Sequence, residues 1–252
     1  MSTTASPFTL TEESGVTIAL GDGRVSRNRL LNLLPPDALE AFVAASDVVT
    51  VKTKDILVEP DAPIPYVYFP EDCVISLVVL LEGGGGVEAM TVGNDGCTPV
   101  VAFHGVESTG LLGCGQVTGA ARRVPRDDFV RLVSERPVFT RVLHRYSQLV
   151  FEAVAQSAAC NRMHVVEQRC ARWLLMSHDR VGRPRFDLTQ AFLAQMLGVR
   201  RAGVTVAMGI LERQGLLSHG RGSVTIVDRA GLERASCECY RAIKRREEKI
   251  LS

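Results

Sequence analysis

Hydrophobic and polar positions change rhythm several times along the 252-residue chain. Residues 1–26 are rich in Ser, Thr and Gly and keep no sustained period, which predicts a mobile or loosely docked arm. A short helical pattern from Asn28 to Leu34 is broken by Pro35-Pro36. A second helix is then expected through Ala45, with Pro36 near its first position and Asp37 in its first turn. From Val48 to Val124 the pattern shifts to β-rich runs: Val48–Val51, Asp55–Val58, Tyr66–Phe69, Val74–Leu81, Val87–Val92, Leu111–Thr118 and Ala120–Val124. Pro60-Asp61, the Gly83–Gly86 tract and Gly93-Asn94-Asp95-Gly96 punctuate them. Short strands so closely spaced predict a small antiparallel barrel or roll.

Helical periodicity returns at Asp127, and a long helix is expected from about Pro137 to Met176. Phe139, Leu143, Tyr146, Val150, Ala153, Ser157 and Cys160 follow one another at alternating steps of 4 and 3, a heptad seam. Such a helix has more apolar surface than one roll face can cover. A parallel homodimer is therefore expected, with Phe139, Leu143, Tyr146, Val150, Ala153 and Ser157 at its interface. The competing reading is an amphipathic helix spent on its own chain, and a second stripe through Val142 and Leu149 could pack on the roll. The last ninety residues read as helix, turn, helix, hairpin. Asp187 or Thr189 can cap a helix through Leu197, Gly198 turns the chain, and a second helix runs from about Arg200 to Gln214. Leu216–Ser218 and Ser223–Val227 flank His219-Gly220-Arg221-Gly222, a hairpin signal. A basic helix from about Ala230 to Lys249 closes the chain.

Charge divides the molecule. The net charge is only +1, yet residues 1–160 carry 12 Lys/Arg against 19 Asp/Glu, and residues 161–252 carry 17 against 9. A basic module suited to a polyanion is thus joined to an acidic module with another task. The chemistry concentrates in the helix pair. Leu193, Met196 and Leu197 form one apolar face, and Val204, Ala207, Met208 and Leu211 form another. Two such faces joined at a glycine make a helix-turn-helix, whose second helix enters a DNA major groove. Arg200 and Arg201 open that second helix, where cations oppose its dipole by roughly 0.3–1 kcal/mol each. Facing DNA, the same guanidinium groups reach phosphates or guanine edges. Val204 and Thr205 follow them on the expected reading surface. Thr189 and Gln190 suit phosphate contacts at a helix N-terminus, and His219 and Arg221 suit a second backbone contact from the hairpin. Gly203 inside the helix could admit the DNA backbone or the preceding helix.

This order of parts resembles the Crp/Fnr superfamily of bacterial transcription regulators over about residues 28–228. The resemblance is most specific in Leu188–Leu217 with the Arg221-Gly222 hairpin, and visible in Arg169-Cys170-Ala171-Arg172-Trp173-Leu174-Leu175. It implies an α+β fold: an antiparallel β-roll sensor like a cyclic-nucleotide-binding jelly roll, a long dimerisation helix and a C-terminal winged helix-turn-helix. The boundaries expected are an arm over 1–27, the roll over 28–135, the dimerisation helix over 136–163, the winged domain over 164–230 and a final helix over 231–252. Arg201 matches the family's recognition-helix arginine, whereas Ala202 replaces an acidic residue and Val206 stands at a second arginine position. The resemblance also implies double-stranded DNA, a second copy of the chain and RNA polymerase as partners.

The sensor departs from the family's cyclic-nucleotide members, which pair the phosphate with an arginine. Here Glu107 precedes Ser108-Thr109, and no Lys or Arg occurs from residue 55 to residue 121. An anion buried without a basic partner is too costly, which argues against cyclic AMP. Nothing before Cys73 supplies an N-terminal iron–sulfur cluster. The seven cysteines form no CxxC pair; Cys237 and Cys239 could be a redox pair, but their spacing separates them on a helix. No cofactor and no metal is therefore expected, and the effector stays unassigned. His104 is expected to be solvated. A cupin-like metal enzyme would need several histidines in the roll, where only one occurs; a protein-interaction module is the other alternative. The first twenty residues lack a signal-peptide pattern and no run reaches membrane-span length, so a cytoplasmic, non-enzymatic DNA-binding regulator is expected. Its activity would be set by a ligand other than a cyclic nucleotide, by thiol state, or by neither.

Overall fold

The β-rich runs become seven strands in the computed structural model, which describes residues 26–82 and 85–251. Residues 1–25 of the expected arm over 1–27 lie outside the described residues, as do residues 83 and 84 of the glycine tract. The buried Ser26 donates to Glu71 at 2.9 Å, so the arm's last residues are docked on the roll. The strands are β1 (Asp47–Val51), β2 (Ile56–Val58), β3 (Tyr66–Pro70), β4 (Val74–Leu80), β5 (Gly86–Val92), β6 (Leu111–Val117) and β7 (Gly119–Pro125). All pairings are antiparallel, in one sheet ordered β1-β7-β3 and another ordered β2-β6-β4-β5. A roll is the outcome. Its aromatic centre joins Phe42 of α1 (Pro36–Ala44), Phe69 of β3, Phe129 of α2 (Arg126–Glu135) and Phe139 of α3 (Pro137–Met163), all fully buried. Phe42 and Phe69 meet edge to face at 4.7 Å, the geometry aromatic quadrupoles favour.

Three helical expectations are corrected. The pattern from Asn28 to Leu34 yields only a single tight turn at Leu31–Leu33. The Asn28 side chain takes over the local backbone, accepting from the Leu30 and Leu31 amides and donating to the Pro70 and Gly96 carbonyls. The helix expected through Met176 breaks after Met163, and α4 (Val166–Val181) starts beyond an extended His164-Val165. Phe139, Leu143 and Tyr146 belong to the roll core, whereas Cys170, Leu174 and Leu175 belong to a core shared with the winged domain. One straight helix cannot face both. The final helix divides likewise into α7 (Arg229–Ala235) and α8 (Cys239–Ile250). The latter lies along α3, where Arg246 meets Glu152 at 2.7 Å and Gln156 at 3.0 Å.

The expected dimer seam is also corrected. Phe139 and Leu143 are 0% exposed and Tyr146 2%, all packed in the roll of their own chain, so they cannot touch a second copy. Ala153 is buried, and with the half-buried Val150 and Ser157 it lines a cleft facing Trp173, Met176 and Ile243. What α3 leaves exposed is another stripe: Phe151 at 70%, Val154 at 37%, then Ala155, Ala158 and Met163. Among the described residues no helix is long and apolar enough to cross a membrane.

Polar groups tie α4 to the roll. Trp173 donates to Glu88 of β5 at 2.9 Å, Gln116 of β6 donates to Ser177 at 2.9 Å, and Arg180 holds Asp95 at 2.7 Å and Thr91 at 2.9 Å. The Asp95 carboxyl is held below the usual range by Arg180, against its burial. Glu88 is pushed up to about 7, chiefly by burial, with Ser76, Trp173, Arg172 and Arg180 opposing.

Candidate nucleic-acid interface

Thr189 caps α5 (Gln190–Leu197), its hydroxyl accepting from the Phe192 amide at 3.1 Å. This is the N-cap chemistry that short hydroxyl side chains supply. Gly198 follows in the left-handed region at φ 63°, and α6 (Arg201–Arg213) leaves the turn. Leu193, Met196 and Leu197 of α5 and Val204, Ala207, Met208 and Leu211 of α6 are buried together with Leu174 and Leu175. Thr205 donates to the Gln190 side chain at 2.7 Å, linking the two helices at their outer surface. The hairpin forms as β9 (Leu217–Gly220) and β10 (Ser223–Ile226), closed by Arg221 and Gly222. A further strand, β8 (Arg185–Asp187), joins β10 in a sheet ordered β8-β10-β9. At three residues with only Phe186 buried, β8 is too short to show an alternating pattern.

The site residues therefore separate into classes. Arg200, Arg201 and Thr205 are exposed at the start and along the first turns of α6, and Arg221 is exposed at the hairpin turn. The Arg200 and Arg201 guanidinium groups have no hydrogen-bond or ion-pair partner among the described residues; the Arg201 carbonyl accepts from the Thr205 hydroxyl at 3.1 Å. Thr189 is exposed and Gln190 half-buried beside them. Val204 is 0% exposed, so its assignment to DNA contact is corrected: it is the knob that seats α6 on α5. His219 is corrected in part. It is half-buried, its backbone N–H donates to Glu212 at 3.1 Å and its ring lies 3.3 Å from the same carboxylate. Glu212 thereby fastens the hairpin to α6. Sequence reasoning left out two exposed positions on α6, Ala202 and Val206, as contacts in their own right; Val206 is 62% exposed. Their apolar character on a polar helix face was the available signal. At Gly203 an added Cβ would meet nothing within 4 Å, so contact with the preceding helix does not require this glycine.

The family model for the Crp-like helix-turn-helix domain matches residues 168–235. Among curated proteins, none matches the chain by sequence. Many solved structures do share its fold. One, described as a Crp/Fnr-family transcriptional regulator from Eubacterium rectale, is 16% identical with a TM-score of 0.62 and covers 82% of this chain and 96% of its own. FixK2 from Bradyrhizobium japonicum is 16% identical with a TM-score of 0.62, over 76% of this chain and 98% of its own. The c-di-GMP-responsive global regulator CLP from Xanthomonas campestris is 16% identical with a TM-score of 0.58, over 76% and 99%. The chain thus carries a Crp-like helix-turn-helix domain, within a β-roll and winged-helix architecture shared with regulators of the Crp/Fnr family.

Proposed function

We propose that the protein is a DNA-binding transcriptional regulator that acts as a homodimer on a two-fold-related operator. The observation that carries this reading is the pair of exposed arginines, with unpartnered guanidinium groups, at the start of α6, together with the exposed Arg221 of the hairpin. Cations at a helix N-terminus are unfavourable in isolation and become favourable against phosphate or guanine. Thr189 and Gln190 at the start of α5 suit a flanking phosphate, and Arg221 suits the backbone beyond the groove. Ala202 and Val206 present methyl groups where thymine methyls can meet them. The exposed stripe of Phe151, Val154, Ala155 and Ala158 on α3 suits a second copy, replacing the buried seam. RNA polymerase is a partner proposed on the family resemblance.

The sensor is read as taking no cyclic nucleotide. Tyr146 closes on the turn that would hold one: its hydroxyl donates to the Cys97 carbonyl at 3.0 Å, and a Cβ at Gly96 would overlap that hydroxyl. Arg122 is engaged with Glu71 at 3.2 Å, both 2% exposed, and Arg123 stacks on Tyr66 at 4.5 Å. Cyclic AMP and cyclic GMP are accordingly expected to leave the melting temperature and DNA affinity unchanged. Thiol control at Cys73, Cys97 or Cys170 is disfavoured, since burial raises all three thiols, Cys170 to about 12. The test of the main reading is selection of bound sequences from random DNA, followed by footprinting. A protected inverted repeat with half-sites about one DNA turn apart supports it. Enrichment of no sequence, or binding that Arg201→Ala leaves equally selective, refutes it.

A further inference from the structure

Cys160 and His164 lie at the end of α3, and Cys237 and Cys239 lie at the corner between α7 and α8. About seventy residues of chain separate the two pairs, yet their ligand atoms all fall within 4.8 Å of one another. The Cys160 and Cys237 sulfurs are 3.5 Å apart, and the Cys239 sulfur is 3.7 Å from His164 Nδ1. Around one tetrahedral zinc, with Zn–S near 2.3 Å and Zn–N near 2.0–2.1 Å, simple trigonometry places sulfurs about 3.8 Å apart and sulfur and nitrogen about 3.6 Å apart. A four-iron cluster spreads its ligands around a much wider core. The three cysteines are 0–3% exposed, sealed as structural metal sites are. We propose that Cys160, His164, Cys237 and Cys239 bind a single tetrahedral, zinc-class divalent cation.

The surroundings fit this chemistry. His164 turns Nδ1 toward the sulfurs and holds Nε2 3.1 Å from the Glu238 carboxylate. A carboxylate on the far nitrogen of a ligating imidazole fixes the ring and its tautomer. Three thiolates and one divalent ion leave a net charge of −1, and two buried guanidinium groups stand within electrostatic reach of the thiols: Arg169 at 7% exposure and Arg172 at 5%. The Nε–H of each is buried with no hydrogen-bond partner among the described residues. Such donors suit the sulfurs of an anionic centre. The site also has a place in the fold: it joins the end of α3, the extended His164-Val165 link to α4 and the α7–α8 corner, so one ion pins the winged domain's final segment to the long helix.

The test uses the full-length chain and no DNA, so it stands or falls apart from the operator reading. Purified under reducing conditions, the wild type is expected to hold one zinc per chain by elemental mass spectrometry. After chelation, Co2+ should produce the intense visible bands of a tetrahedral centre with thiolate-to-cobalt charge transfer in the near ultraviolet, and Zn2+ should displace them. Cys160→Ser and Cys239→Ser should lose the ion, Cys114→Ser should keep it, and His164→Cys should restore binding that His164→Ala loses. The cobalt titration of the wild type needs no variant to fold. Folded wild type that binds neither ion at micromolar concentration overturns the proposal. So does iron with equimolar labile sulfide, a Cys160–Cys237 disulfide in place of metal, or undiminished zinc in Cys160→Ser.

Discussion

Arg201 and Val204 stand three residues apart on α6 and are assigned opposite tasks by exposure alone. Arg201→Ala is expected to leave the melting temperature near that of wild type and to cost about 1–3 kcal/mol of discrimination at one base position, read by competition against single-base operator variants. Val204→Ala should behave inversely, lowering unfolding free energy by roughly 2 kcal/mol through lost burial and a small void, while the ratio of specific to random binding holds. If the two variants exchange phenotypes, the assignment of the α6 faces is wrong. Gly203 offers a third readout, since its missing side chain faces open space. Gly203→Ala should stabilise the fold by about 0.5–1 kcal/mol in denaturant titration, because alanine loses less backbone freedom on helix formation. The hydrophobic period shows that Arg201 and Val204 both lie on a helix. The period also places Val204 on the apolar face with Ala207, Met208 and Leu211, which conflicts with a DNA contact there; its full burial decides for the face.

At the scale of elements, α3 is where periodicity and tertiary structure divide. The heptad through Phe139, Leu143 and Tyr146 is real, but its first half is filled by the roll's own aromatic centre. A 4-3 repeat reports that one face is buried and is silent about which chain buries it. Leu143→Asp is therefore expected to unfold the roll, seen as aggregation or loss of cooperative melting, whereas Phe151→Asp with Val154→Asp should yield folded monomers by light scattering that bind operator weakly. A Phe151/Val154 variant that remains dimeric would place the interface elsewhere. The break at His164-Val165 was hidden for a related reason: both sides have good helical sequence, and the bend is imposed by two cores lying in different directions.

For the whole molecule, the contact between roll and winged domain carries a titratable group. Glu88 is raised to about 7 from an ordinary value near 4.5, with burial as the main cause. The fold thus favours its protonated form. That contribution is complete below about pH 4.5 and is lost as pH rises toward 7. Relative to Glu88→Gln, which retains an acceptor for Trp173, the wild type should lose on the order of 1 kcal/mol of stability between pH 5 and pH 8 after allowance for solvent screening. Parallel pH profiles of melting temperature for the two proteins would show that Glu88 does not titrate in the fold.

The sequence by itself determined the strands of the roll, the helix-turn-helix with its glycine turn, the hairpin, and the division of charge between the halves, and it narrowed the cap of α5 to Asp187 or Thr189. These follow from local stereochemistry and from periods of two and 3.6 residues, which a single stretch of chain expresses in full. Only the tertiary structure decided that Tyr146 closes on the Gly96 turn, that Arg122 is taken by Glu71, and that Cys160 and His164 meet Cys237 and Cys239. Each of these depends on the meeting of segments distant in sequence. No local pattern encodes such a meeting, because the position of one partner is set by the packing of everything between them.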